Sequence, residues 1–300
     1  METDQQTVEH KGLRKGLYLV PSVFTAANIA MGFLSVLASV RGFQLVSGDA
    51  ADIAQAALYF DFAAKAIGFA ILFDTLDGRI ARLTKTASEI GVQLDSLADV
   101  LTFGIAPTVL IFSWSIGAAF PEESAVYRLG VFVLFMYLMC GVFRLARFNL
   151  QALRPRVIAA GSAKVDKKHF VGLPIPVAAG LLAAIVHFWP SPIIAPVSSS
   201  PRFYTVAIIV LTAGLGLLMV STIKYKSFKE AGLGKSGIYP IILLAAGGML
   251  IWLYSRYFLL TLAVLFVSHG VVLYLAGFFT RNAIETTSVE IAEPASKSDH

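Results

Sequence analysis

Residues 56–82 read "AALYFDFAAKAIGFAILFDTLDGRIAR". Residues 56–73 are apolar apart from Asp61 and Lys65, and as a helix they cross most of a hydrocarbon layer about 30 Å thick. The remainder contains no proline and passes directly into a polar helix face. Asp74, Asp77, Gly78, Ala81 and Arg82 recur at separations of three and four and so share one stripe. An apolar span that ends in carboxylates sets the environment and also marks where chemistry would sit.

Outward from this stretch the pattern repeats. Eight segments have approximately the length and apolar character of a membrane span: 18–40, 56–73, 97–116, 126–143, 173–189, 204–220, 239–254 and 258–278. The 300-residue chain is 57% hydrophobic and only 14% charged, with a mean hydropathy of +0.74, which excludes an ordinary soluble domain. Backbone polar groups inside a bilayer must be satisfied within the chain, and these runs are too long and too continuously apolar for barrel strands. The expectation is an all-α, polytopic transmembrane bundle. Its net charge of +5 is dispersed over several loops, so the partners expected are membrane lipids and not nucleic acid. The single cysteine, Cys140, lies in an apolar run and rules out a disulfide framework.

Basic residues give the orientation. The segment before the first span (Lys11, Arg14, Lys15), the aspartate segment (Arg79, Arg82, Lys85) and the loops near Arg144–Lys168 and Lys224–Lys235 all fall on one side, whereas Arg41, Arg128, Arg202 and Arg256 fall on the other. Positive charge is retained in the cytoplasm, so both termini and the aspartate segment are expected to face the cytoplasm from a multi-pass protein of the cytoplasmic (inner) membrane. Residues 1–16 form a polar N-terminal segment that leads into an uncleaved first span, because the apolar run lacks an early small-residue cleavage site. The polar tail, 282–300, is expected to be disordered.

A second stripe follows the first. Gly91, Asp95 and Asp99 are spaced by four, and "LTKTASEI" at 83–90 is polar enough to turn the chain. If the two helices return antiparallel, four carboxylates converge at one end of the bundle. Like charges at such distances repel by several kcal/mol even at an effective dielectric of roughly 20, so a counter-charge is required. Arg82 offsets one of them, and no His or Cys accompanies the group. All-oxygen ligation points to hard cations, Mg2+ or Mn2+, and two such ions sharing carboxylates could polarise a phosphoryl group. Gly78 leaves the helix surface open for a bulky ligand. The plainer reading of solvated helix ends paired with Arg79, Arg82 and Lys85 suits one aspartate better than four at this spacing. A cation transporter is the rival of another class; it would place its acids near the bilayer midplane in matched, broken helices.

The spacing D-x2-D-G-x2-A-R-x8-G-x3-D-x3-D, filled by Asp74, Asp77, Gly78, Ala81, Arg82, Gly91, Asp95 and Asp99, resembles the signature of the CDP-alcohol phosphotransferase family. "LDSLADVLTFGIAP" (94–107), "FRLARFN" (143–149), "FVGLPIPVAAG" (170–180) and "STIKYKSFK" (221–229) are similar to its phosphatidylserine-forming branch. The resemblance implies a six-helix core over 17–230, with two additional helices over 231–281. It further implies CDP-diacylglycerol and L-serine as substrates, with CMP released, and a homodimer. Carried over by position, Asp74, Asp77, Asp95 and Asp99 would be metal ligands, Asp99 also the base, and Gly78, Ala81 and Arg82 the lining of the CDP pocket. Acceptors such as glycerol phosphate, inositol phosphate or choline, or an archaeal CDP-lipid, would keep the same chemistry.

Three smaller expectations remain. Arg144 and Asn149 are candidates for holding serine, because Arg grips a carboxylate in bidentate fashion. Thr25 and Asn28 share a face of the first span, where a packing role together with Gly32 is favoured. Asp61 and Lys65 form an internal i, i+4 pair, and the five histidines have no ligand spacing.

Overall fold

The structure, a computed structural model, describes residues 5–48, 51–84, 89–117, 119–153, 169–194, 198–226, 248–251, 253–270 and 272. Six helices in it are long and apolar enough to cross a membrane, with one shorter apolar helix among them. The fold is a polytopic helical bundle whose outer surface is apolar; Phe33, Leu58, Phe69, Phe132 and Val210 are all exposed.

Helices α1 (Gln5–Ser47) and α2 (Ile53–Thr84) form a hairpin. Asp52 closes it by accepting the Gln55 N–H at 2.9 Å, which satisfies one of the free donors at the start of α2. The third span begins as α3 (Glu89–Asp99), passes through a π-helical stretch at Val100–Ile105 into α4 (Ala106–Ile111), and ends in a second π-helical stretch, Phe112–Ile116. The first wider turn begins directly after Asp99, a placement typical of functional segments. Helix α5 (Ala125–Leu153) starts at Ser124, whose hydroxyl accepts the Tyr127 N–H at 3.1 Å.

A short antiparallel pair, β1 (His169–Val171) with β2 (Lys224–Lys226), joins the segments flanking α6 and α7. Gly172 follows at φ +83°, and a side chain there would collide with the Met219 carbonyl, so only glycine suits the turn. Pro174 and Pro176 mark the start of α6 (Ile175–Phe188), as expected of prolines at a helix entrance. At 14 residues α6 is about 21 Å long, too short to cross alone. Residues 189–194 are tied to the end of the third span: Trp114 Nε1–H donates to the Ser191 carbonyl at 2.9 Å and the Ile193 N–H to the Trp114 carbonyl at 3.0 Å. Helix α7 is Pro201–Val220.

The first core packing device is a glycine. A Cβ on Gly32 would come within 2.9 Å of the Thr102 Cα, so α1 and the third span touch backbone to backbone. Thr102 Oγ1–H donates to the Asn28 carbonyl at 3.2 Å across the same contact. The packing expected of Gly32 is therefore present.

The last described helix, α8 (Leu253–Gly270), corrects one expectation. A break between two spans at 255–257 is not present; Ser255, Arg256 and Tyr257 include no glycine or proline, and the helix runs through them. Most of the proposed 239–254 span lies outside the described residues, as do the 282–300 tail and residues 154–168 and 227–238.

A polar chain holds α8 to the core. Lys65 pairs with Asp61 at 2.7 Å, as the i, i+4 spacing suggested. His187 Nδ1–H donates to Asp61 Oδ1 at 2.5 Å, and His187 Nε2 lies 2.9 Å from the Ser255 hydroxyl. One residue along, the rings of Phe188 and Tyr257 meet edge to face at 5.4 Å. The histidines have no ligand spacing in the sequence; in the fold His187 is a buried bridge. His187→Leu should leave the buried Asp61 with half its partners and lower stability by about 3 kcal/mol, read as an earlier thermal transition in detergent.

Candidate metal and phosphate-transfer site

The aspartate stripes meet. Asp74 from α2 and Asp95 and Asp99 from α3 each offer a carboxylate oxygen, and these oxygens lie within 4.8 Å of one another. Asp74 and Asp95 are half-buried, and Asp99 is 9% exposed. At that separation each pair of charges repels by at least about 3.5 kcal/mol at an effective dielectric of ~20, or about 10 kcal/mol over three pairs. Such an arrangement is stable only with a cation or with protons.

Asp77 is placed differently from the other three. It is buried and accepts the Thr25 hydroxyl from α1, while its charge is felt by Asp74 and Asp95. Thr25 thus aims a carboxylate from 52 positions away, a contact that the pattern of neither helix could reveal.

A cation acting on the site comes from outside the aspartate motif. Arg144, on α5, is an electrostatic neighbour of Asp99. Its Nε is buried without a hydrogen-bond partner, as is Asp99 Oδ1. Asn149, a candidate for holding serine, donates through Nδ2 to Ser96 Oγ at 2.9 Å and so braces α5 against α3. Gly78 is half-buried next to Asp77, and Gly91, expected against a facing helix, is exposed. Ala81 and Arg82 stand on the last turn of α2 with side chains outside the described residues.

The donor set fits a hard divalent cation. All its atoms are carboxylate oxygens, one of them buried and unpartnered. Oxygens on opposite sides of Mg2+, each about 2.0–2.1 Å from the ion, stand about 4.2 Å apart, so small side-chain rotations would close the observed 4.8 Å spread. Among the described residues no sulfur or imidazole joins the group, so its donors are those of a hard-cation site.

Comparison with known proteins agrees. The CDP-alcohol phosphatidyltransferase family profile matches residues 18–220, which includes every aspartate above and stops before α8. The chain is 32% identical over 220 residues to the CDP-diacylglycerol–serine O-phosphatidyltransferase of Helicobacter pylori, covering 71% of this chain and 74% of that protein. It is 31% identical over 211 residues to the protein of the same name from Methanocaldococcus jannaschii, covering 70% and 83%. It is also 31% identical over 219 residues to the archaetidylserine synthase of Methanothermobacter thermautotrophicus, covering 72% of each.

Proposed function

The chain belongs to the CDP-alcohol phosphatidyltransferase family, and on that premise we propose that it transfers the phosphatidyl group of CDP-diacylglycerol to the hydroxyl of L-serine, giving phosphatidylserine and CMP. The observation that carries this reading is the convergence of Asp74, Asp95 and Asp99 with an unpartnered Asp99 oxygen. The choice of acceptor is supported by the relatives: their names specify different lipids but share serine.

Asp74, Asp77, Asp95 and Asp99 would hold Mg2+ or Mn2+, two ions in all. A bound divalent cation supplies positive charge to the phosphate oxygens and to the CMP that departs. The protein's own groups do the rest. Serine's hydroxyl is a weak nucleophile at neutral pH, so a base within hydrogen-bond reach is required, and Asp99 Oδ1 takes that role. As the proton passes to Asp99, the hydroxyl oxygen bonds to the lipid-bearing phosphorus and the bond to the CMP oxygen breaks. Thr25 keeps the Asp77 carboxylate in register. Gly78, Ala81 and Arg82 line the nucleotide seat, with Arg82 favouring charge on the leaving phosphate. Arg144, beside Asp99, is suited to the serine carboxylate.

The basic residues of the aspartate end support an active site that faces the cytoplasm across the inner membrane, and the enzyme would act as a homodimer. Purified protein given CDP-diacylglycerol, Mn2+ and labelled serine should form labelled lipid and one CMP for each lipid made. No label from serine, with transfer to glycerol phosphate or inositol phosphate instead, would overturn the choice of acceptor.

A further inference from the structure

Three residues, one each on α1, α3 and α5, have buried side-chain polar atoms with no hydrogen-bond partner: Asn28 at both Nδ2 and Oδ1, Asp99 at Oδ1 and Arg144 at Nε. Among the described residues only Ser35 shares this condition. Asn28 is the most extreme case, because it is 1% exposed and both ends of its amide are unmatched. A buried amide without partners is costly, and native proteins rarely keep one without a ligand for it. Helix packing does not account for it, since Gly32 makes the close contact and only the Asn28 backbone carbonyl is engaged, by Thr102.

Register places these groups together. Asn28 follows Thr25 by three residues, and Thr25 reaches Asp77. Thr102, on the Asn28 carbonyl, follows Asp99 by three residues. Three helical residues rise about 4.5 Å, so Asn28 stands one turn deeper than the carboxylates on the face of α1 that carries Thr25. Arg144 adjoins Asp99 from α5. Helices α1 and α5 both pack against the π-helical stretch that follows Asp99, so a donor-and-acceptor amide, a guanidinium and a carboxylate oxygen lie on elements that meet there.

Resting on the serine reading above, we infer that Asn28 is a substrate-binding residue that, with Arg144, seats the acceptor amino acid. Asn28 Oδ1 accepts from the ammonium, Asn28 Nδ2 and Arg144 donate to the carboxylate, and the hydroxyl is left facing Asp99 Oδ1. A zwitterion with a hydroxyl matches every unpartnered group; a polyol lacks the ammonium and carboxylate that Asn28 and Arg144 would recognise. The seat lies below the nucleotide end, so the acceptor enters a partly desolvated pocket where each hydrogen bond to a charged group counts strongly.

The test uses the full-length protein with CDP-diacylglycerol and Mn2+, comparing wild type with Asn28→Leu, Asn28→Ala and Arg144→Gln. In both Asn28 variants the serine KM should rise about 10- to 100-fold while the CDP-diacylglycerol KM changes by less than about 2-fold. Wild-type preference for serine over glycerate, which lacks the ammonium, should collapse in the Asn28 variants. Preference for serine over ethanolamine, which lacks the carboxylate, should collapse in Arg144→Gln. Without substrate, Asn28→Leu should melt at or above the wild-type temperature, because an unmatched polar group has been replaced by an apolar one of similar size; a packing residue would melt earlier. An unchanged serine KM, or both KM values rising together, would overturn the seat with the serine reaction intact. A wild-type protein that ignores serine would overturn the acceptor assignment and the seat together.

Discussion

Asp99→Asn lowers phosphatidyl transfer by about 10²- to 10⁴-fold, the range over which a positioned base contributes. Asparagine matches the carboxylate in shape but cannot take a proton at neutral pH. The variant should therefore fold and bind CDP-diacylglycerol while failing to turn over. The physical reason lies in the placement of Asp99: one of its oxygens is buried and unpartnered, on the last residue of α3 before the helix widens. Replacing the carboxylate by a neutral amide also leaves Arg144 without its negative neighbour, so recovery of activity by a more alkaline buffer is not expected. Steady-state turnover beside a CDP-diacylglycerol binding isotherm checks the point, and near-wild-type synthesis would refute the assignment of the base.

Removal of divalent ions should have an effect as large. Three carboxylates within 4.8 Å repel strongly, and Arg144 acts on Asp99, a single charge against three. Chelation with EDTA should bring activity to background, and Mg2+ or Mn2+ should restore it. Asp95→Ala should raise the ion concentration for half-maximal activity by about 10-fold or more, because a lost ligand weakens the site at least as much as a lost supporting contact. Full activity after exhaustive chelation would contradict this.

Much of the site was legible because its signal is local. Two stripes of period three to four on consecutive helices can be read from spacing alone, and the carboxylates they carry do meet, within 4.8 Å for Asp74, Asp95 and Asp99. Groups supplied from a distance were not legible. Thr25 reaches Asp77 across 52 positions and His187 reaches Asp61 across 126, and in neither case does the residue's own helix advertise the partner. Spacing among the histidines gave no sign of the bridge, because the partners of His187 come from α2 and α8, one far before it in the chain and one far after. The π-helical stretches at 100–105 and 112–116 were likewise invisible, because hydropathy fixes a span's length but not its hydrogen-bond pitch. Asn28 was read as a packing residue on the same basis; only the structure reveals that its carbonyl is satisfied while its amide is not.

The central claim is that these aspartates grip divalent cations together. Mn2+ titration of the purified protein followed by electron paramagnetic resonance, with CDP-diacylglycerol present, tests it most directly. The account predicts two bound ions per chain with magnetically coupled spectra, lost in both Asp74→Ala and Asp95→Ala. Equal Mn2+ uptake by wild type and both variants would contradict it.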